Sequence, residues 1–172
     1  SGRLYLSAWA GAGYKGNPKK GYVERVVPKD WKYKPFPDLA KLSSDGLINS
    51  LKSPSSTARL HVQQEILRRN ESAMGSKILA MINSPSTSLE SRVAAIFTYA
   101  QLLGKDASKG LVDASKDSVI QEFCLRAMAD RKPVAKGLAT QLFTEALRSK
   151  NARVQVAAAV ALGRIGNPNS AK

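Results

Sequence analysis

Few side chains in this chain are of a type and spacing that would do chemistry. His61 is the only histidine and Cys124 the only cysteine. They fall in different helical segments, so no zinc site of ordinary ligand spacing is set up. Cys124 sits at a core position of its segment and reads as a buried, inert thiol rather than a nucleophile. One thiol also forms no intramolecular disulfide, which leaves the compartment undecided. No C-x-x-C-H run occurs, so these residues attach no c-type haem themselves.

Gly11-Ala12-Gly13-Tyr14-Lys15-Gly16 matches G-x-G-x-x-G and follows a strand-like run. A dinucleotide site also needs a helix to open there, so that its N-terminus holds the pyrophosphate. Asn17-Pro18-Lys19-Lys20-Gly21 and a second strand-like run follow instead, and Asn17-Pro18 stands where a P-loop requires Lys and Ser or Thr. The expectation is a hairpin loop. Glu65, Glu90, Glu122 and Glu145 are scattered over separate helices, and intrahelical pairs account for Glu65 with Arg68 or Arg69 and for Glu122 with Arg126. Asn70-Glu71-Ser72 is a formal glycosylation sequon without a context that gives it meaning. No catalytic, cofactor-binding or metal-binding residue is assigned, and these 172 residues are read as non-enzymatic.

Cations are the remaining candidates. The formal net charge is +14 and the pI about 10.1, which favours polyanions, anionic surfaces or an acidic protein. Lys19, Lys20, Arg68, Arg69, Arg131 and Lys132 are the candidate anion or partner contacts, with Arg148 and Lys150 in a similar setting. The simpler account is that cations near helix ends complement the helix dipole. Trp9 and Trp31 both lie outside the helical region, which deprives it of a base-stacking platform and weakens nucleic acid as a partner.

The elements that carry these residues divide the chain in two. Arg3–Trp9 and Gly21–Val27 have the aromatic, β-branched, partly alternating character of strands. Two strands are not a stable sheet, so residues 1–35 are expected to be a strand-rich tail or the end of a preceding β-domain. The abrupt start on Ser1-Gly2-Arg3-Leu4 points to a piece of a larger protein. Pro28, Pro35 and Pro37 stiffen a connector reaching about residue 38, with Trp31, Tyr33 and Phe36 expected to pack it onto a neighbour.

From Leu39 to Lys172 apolar residues recur at helical spacing. Ser43 or Ser44 is placed to cap the first helix, and Ser53-Pro54-Ser55-Ser56 ends it and begins the next. Breakers follow at Asn83-Ser84-Pro85, Gly104-Lys105-Asp106, Asp130 to Pro133 and Ser149-Lys150-Asn151. Aligning Arg59, Arg92, Gln121 and Gln155 gives intervals of 33, 29 and 34 residues. Three positions on stand Val62, Ala95, Cys124 and Ala158, and seven on stand Ile66, Tyr99, Met128 and Leu162. An internal repeat of helix pairs follows, each pair needing a neighbour to cover its apolar face. The expected fold is mainly α: a HEAT-like α-solenoid of about four helix pairs behind a short β-hairpin. No apolar run approaches the roughly 20 residues of a membrane-spanning helix.

The order of parts resembles one family. Leu4-Tyr5-Leu6-Ser7-Ala8-Trp9, the glycine-rich loop, Gly21-Tyr22-Val23-Glu24-Arg25-Val26-Val27-Pro28, Asp38-Leu39-Ala40-Lys41-Leu42-Ser43 and Leu47-Ile48-Asn49-Ser50-Leu51-Lys52-Ser53-Pro54 come first. Arg59 to Arg69 and Arg92-Val93-Ala94-Ala95-Ile96 begin the repeats. The whole is similar to the junction of β-propeller and HEAT repeats in large planctomycete and verrucomicrobial proteins described as membrane-bound dehydrogenase-like or haem-binding CxxCH proteins. The resemblance implies an extracytoplasmic, periplasmic parent, with a sugar-dehydrogenase-like propeller upstream and a cytochrome c domain downstream. It implies haem c and electron transfer for that parent; the segment itself, with no haem motif, is expected to carry no cofactor and to be a scaffold among domains of the same chain or toward a protein partner, which the charge suggests is acidic. The alternative is a basic HEAT-like nucleic-acid binder, with DNA repair as its setting.

Overall fold

The structure, a computed structural model, describes residues 4–9, 21–32 and 35–166. The expected loop from Gly11 to Lys20 and the expected contact of Tyr33 lie outside the described residues. The chain forms two compact units, residues 1–37 and 38–172.

In the first unit β1 (Leu4–Trp9) and β2 (Gly21–Val26) pair antiparallel, with Leu4 opposite Val26 and Trp9 opposite Gly21. The strand character of both runs is therefore realised. Alternation puts Leu4, Leu6, Val26 and Tyr22 on one face and Tyr5 and Val23 on the other, and all six side chains are exposed. Among the described side chains of the hairpin none is buried, so their packing contributes little. Pro28 accepts a hydrogen bond from the Trp31 amide at 3.0 Å, turning the chain after β2. Trp31 is half-buried and Phe36 exposed.

The second unit is helical: α1 (Ser44–Ser50), α2 (Ser56–Arg69), α3 (Gly75–Ile82), α4 (Leu89–Leu103), α5 (Ser108–Ala114), α6 (Gln121–Met128), α7 (Lys132–Ala135), α8 (Gln141–Ala146) and α9 (Ala152–Ile165). Short 3₁₀ turns precede α1, α3 and α5. The helices start where side chains satisfy the otherwise orphaned amides of a first turn. The Ser43 hydroxyl accepts from Gly46 N–H at 3.1 Å, Ser55 from Ala58, Ser88 from Ser91, and the Asn151 side chain from Arg153. At the other ends Asn70 and Gly166 take the left-handed conformation, with φ of 53° and 68°, and close α2 and α9.

Packing follows chain order. α1 lies on α2, α3 on α4, α5 on α6 and α8 on α9, while α2 packs on α4, α4 on α6 and α6 on α9. The short α7, with Pro133 in its first turn, also rests on α9. The core runs through this row. Val62, Ala95, Cys124 and Ala158, equivalent in the internal alignment, are no more than 1% exposed, and Ile66, Tyr99, Met128 and Leu162 are buried as well. Small residues at the first set let the helices of the row approach closely. The same logic governs Gly110 on α5, where an added Cβ would come within 2.6 Å of the Tyr99 hydroxyl.

A second regularity links the pairs. Arg59 donates to the Ser53 carbonyl at 2.7 Å, Arg92 to the Ile82 carbonyl at 2.7 Å, and Gln155 to the Ser149 carbonyl at 2.8 Å. These are three of the four residues aligned at the start of the repeat. Each sits in the second helix of its pair and clasps the chain that closes the first, where carbonyls lack intrahelical partners.

Candidate interaction surface

Six carboxylates of the helical unit, Asp38, Asp45, Glu65, Asp113, Asp117 and Glu122, are paired with nearby cations. Glu65, on α2, accepts from Arg68 Nε and Nη2 at 2.7 Å and from Arg69 Nε at 2.9 Å. These bonds hold its carboxyl down at about 2. Asp117, before α6, accepts from Arg92 Nη2 at 2.6 Å and is held below the ordinary carboxylate range by that bond first and by the Val119 amide second. Glu122 and Arg126 meet at 3.3 Å. Among the described residues no group of three or more His, Cys, Asp or Glu could hold a metal ion. Cys124 is fully buried, and desolvation pushes its thiol up to about 12, away from any nucleophilic role near neutral pH. His61 lies on the exposed side of α2.

The candidate anion contacts are not brought together. Lys19 and Lys20 lie outside the described residues. Arg68 is exposed but engaged with Glu65. Arg69 is mostly buried, and its Nη2 donates to the carbonyls of Leu39 and Ala40 at 2.9 and 3.1 Å, fastening the turn before α1 onto α2. It serves the fold. Arg131 and Lys132 are exposed, where the chain passes from α6 into α7. Lys132 opens α7 rather than closing α6, so helix-dipole complementarity does not explain it there. α4 packs between α2 and α6, so the two arginine-bearing ends belong to different parts of the row.

What the sequence pattern did not single out is a groove of about 520 Å³ along α6 and α9. Phe97 from α4 and the exposed Val156 and Val160 from α9 supply its apolar surface, over the buried Ala129 just after α6 and Ala157 and Ala161 of α9. Arg126 and Glu122 border it from α6, Arg153 and Arg164 from α9, and Asp130 from the turn after α6. Arg164 Nη1 donates to the carbonyls of Ala129 and Asp130 at 2.9 and 3.2 Å, so this arginine also ties α9 to the end of α6. A separate crevice between α4 and the α6–α7 turn has room of only about 10 Å³, enough for no more than a water. The signal in the sequence was present but faint: Val156 and Val160 stand one turn apart on the exposed side of α9. No helix of the described residues is long and apolar enough to cross a membrane. Comparison of the chain with protein-family models, with curated proteins and with solved structures gives no match.

Proposed function

We propose that the helical unit is a HEAT-like stack of about four helix pairs acting as a non-catalytic scaffold and protein-interaction module. The observation that carries this reading is the row α2, α4, α6 and α9, in which each helix packs on the next and is flanked by its own partner. Equivalent positions in the row are buried, and the arginine or glutamine clasp recurs in three of the four pairs. Units that bury their apolar faces only against neighbours build extended surfaces suited to holding other chains. The groove along α6 and α9 is such a surface.

The uncovered hairpin extends the proposal. With apolar side chains exposed on both faces, β1 and β2 are best accounted for as strands that complete a larger sheet. The parent is then an extracytoplasmic propeller–HEAT–cytochrome c redox protein in which this segment fixes one domain relative to another, and haem chemistry belongs outside it. Intact mass of the native polypeptide, read with haem absorbance on the same sample, tests this parentage. A mass well above 18.5 kDa with a Soret band is expected. A mass near 18.5 kDa without haem would remove the redox parent.

A second reading, a basic nucleic-acid binder, is favoured by the net charge of +14 and by the exposed Arg131 and Lys132. It requires duplex DNA affinity that falls linearly in log–log terms with salt, at a slope set by the number of phosphates contacted. On the scaffold reading, DNA binding is weak and gone at physiological salt.

A further inference from the structure

Along α9, Arg153, Val156, Val160 and Arg164 follow one another at spacings of 3, 4 and 4 residues, which places them in one stripe on the helix. Val156 is 63% and Val160 49% exposed. Two β-branched residues one turn apart, continued by the half-buried Phe97 across the groove, form an apolar seam. An arginine stands at each end of it.

The charges decide what fits. Among the described residues no ion pair engages Arg153. Arg126 and Glu122 answer one another. Arg164 is held by two neutral carbonyls, with the Asp130 side chain bordering the same groove. A second copy of this helix is a poor partner. Parallel pairing sets Arg153 against Arg153, and antiparallel pairing about the middle of the seam sets Arg153 against Arg164. Nucleic acid fits poorly too, because Glu122 and Asp130 repel phosphate and Phe97 alone offers an aromatic face.

We infer that this groove receives an amphipathic helix of another protein, with apolar side chains against Val156, Val160 and Phe97 and a carboxylate against Arg153. The inference rests on the interaction-module reading and names its partner's chemistry. Arg153 and Arg164 are eleven residues apart, or about 16 Å along the axis. A partner helix that uses both ends therefore carries its acidic residues about three turns apart, with aliphatic residues at i, i+3, i+4 and i+7 between them.

The test uses the full chain and a fluorescein-labelled helical peptide with leucines at those positions and glutamates at both ends, followed by anisotropy at physiological salt. Versions with the glutamates changed to glutamine or lysine serve as comparisons. The glutamate peptide is expected to bind at least tenfold more tightly than the lysine peptide, and Arg153→Glu should reverse that order. Val156→Ser should weaken the glutamate peptide about fivefold. Val119→Ser, at an exposed valine outside the groove, should leave binding unchanged. All the substituted side chains are exposed, and circular dichroism checks that each variant keeps its helix. Binding of the glutamate peptide that ignores Arg153→Glu and Val156→Ser overturns the groove assignment while leaving an interaction module. Failure of every peptide to bind also overturns it, and the native mass with haem absorbance then judges the scaffold reading separately. A dimer abolished by Val160→Glu would give the face to a second copy, and duplex DNA released by Arg153→Glu would give it to phosphate. Either result defeats the inference.

Discussion

Arg92 joins separate parts of the helical unit. It is 4% exposed, clasps the last carbonyl of α3 and meets the Asp117 carboxylate before α6, so one guanidinium ties three parts of the row. Arg92→Ala leaves a buried carbonyl and a carboxylate without their donor, and should cost about 3 kcal/mol in urea unfolding. Lysine at this position supplies charge but not the fork, and should recover only part of that loss. Glu65 makes a prediction in pH. Its carboxyl is held at about 2 against an ordinary 4.5, so its contribution is complete above about pH 4.5 and is lost as pH falls through about 2. Glu65→Gln should therefore flatten the fall in stability across that interval, as followed by denaturant midpoints at successive pH values. Cys124 should react negligibly with a thiol reagent in the native chain at neutral pH and fully after unfolding. Rapid native labelling would contradict its burial and its raised pKa. The identity of these pairings was partly legible in the sequence. Glu65 with its arginines and Glu122 with Arg126 follow from helical spacing alone. The contacts of Arg69 with Leu39 and Ala40, and of Arg164 with Ala129 and Asp130, do not, because nothing local specifies a carbonyl roughly 30 residues away in the chain.

Among the elements, the caps and breakers were readable because they are local chemistry. Ser43 and Ser55 cap α1 and α2, and Gly104 ends α4 with φ of 58°. The burial of the aligned positions was readable because a core position tolerates few residue types, and Val62, Ala95, Cys124 and Ala158 preserve that constraint through different side chains. The short α7 and the 3₁₀ turns were not. They lie where the helical period lapses, and their placement depends on what the flanking helices leave uncovered. Gly110 belongs to the same class: its absent side chain is explained only by Tyr99 on another helix. Gly110→Val should force α5 off α4 and cost about 1–3 kcal/mol, read as a lower thermal midpoint with the helix content kept below it. The hairpin makes a complementary prediction. With both faces exposed, substitutions such as Leu6→Ser and Val23→Ser should change the stability of the helical unit by no more than about 0.5 kcal/mol, as ordinary surface changes do.

At the scale of the molecule, the charge of +14 is spread over both units and is partly used up internally, as Arg59, Arg69, Arg92 and Arg164 each bond backbone carbonyls. These arginines hold helix to helix, and net charge alone overstates what is available to a polyanion. The proposed stack implies a distinctive thermodynamics, in which each pair would be stabilised mainly by its neighbours along the one continuous core. The direct test is urea unfolding of a chain ended after Asp130, which removes α7, α8 and α9 and leaves the pairs α1–α2, α3–α4 and α5–α6 intact. The account predicts retained helical circular dichroism and a cooperative transition, with a lower midpoint and a smaller dependence on urea, because less surface is exposed on unfolding. A shortened chain with no helical signal and no transition would show that the helices stand or fall together, and would contradict a stack of pairs.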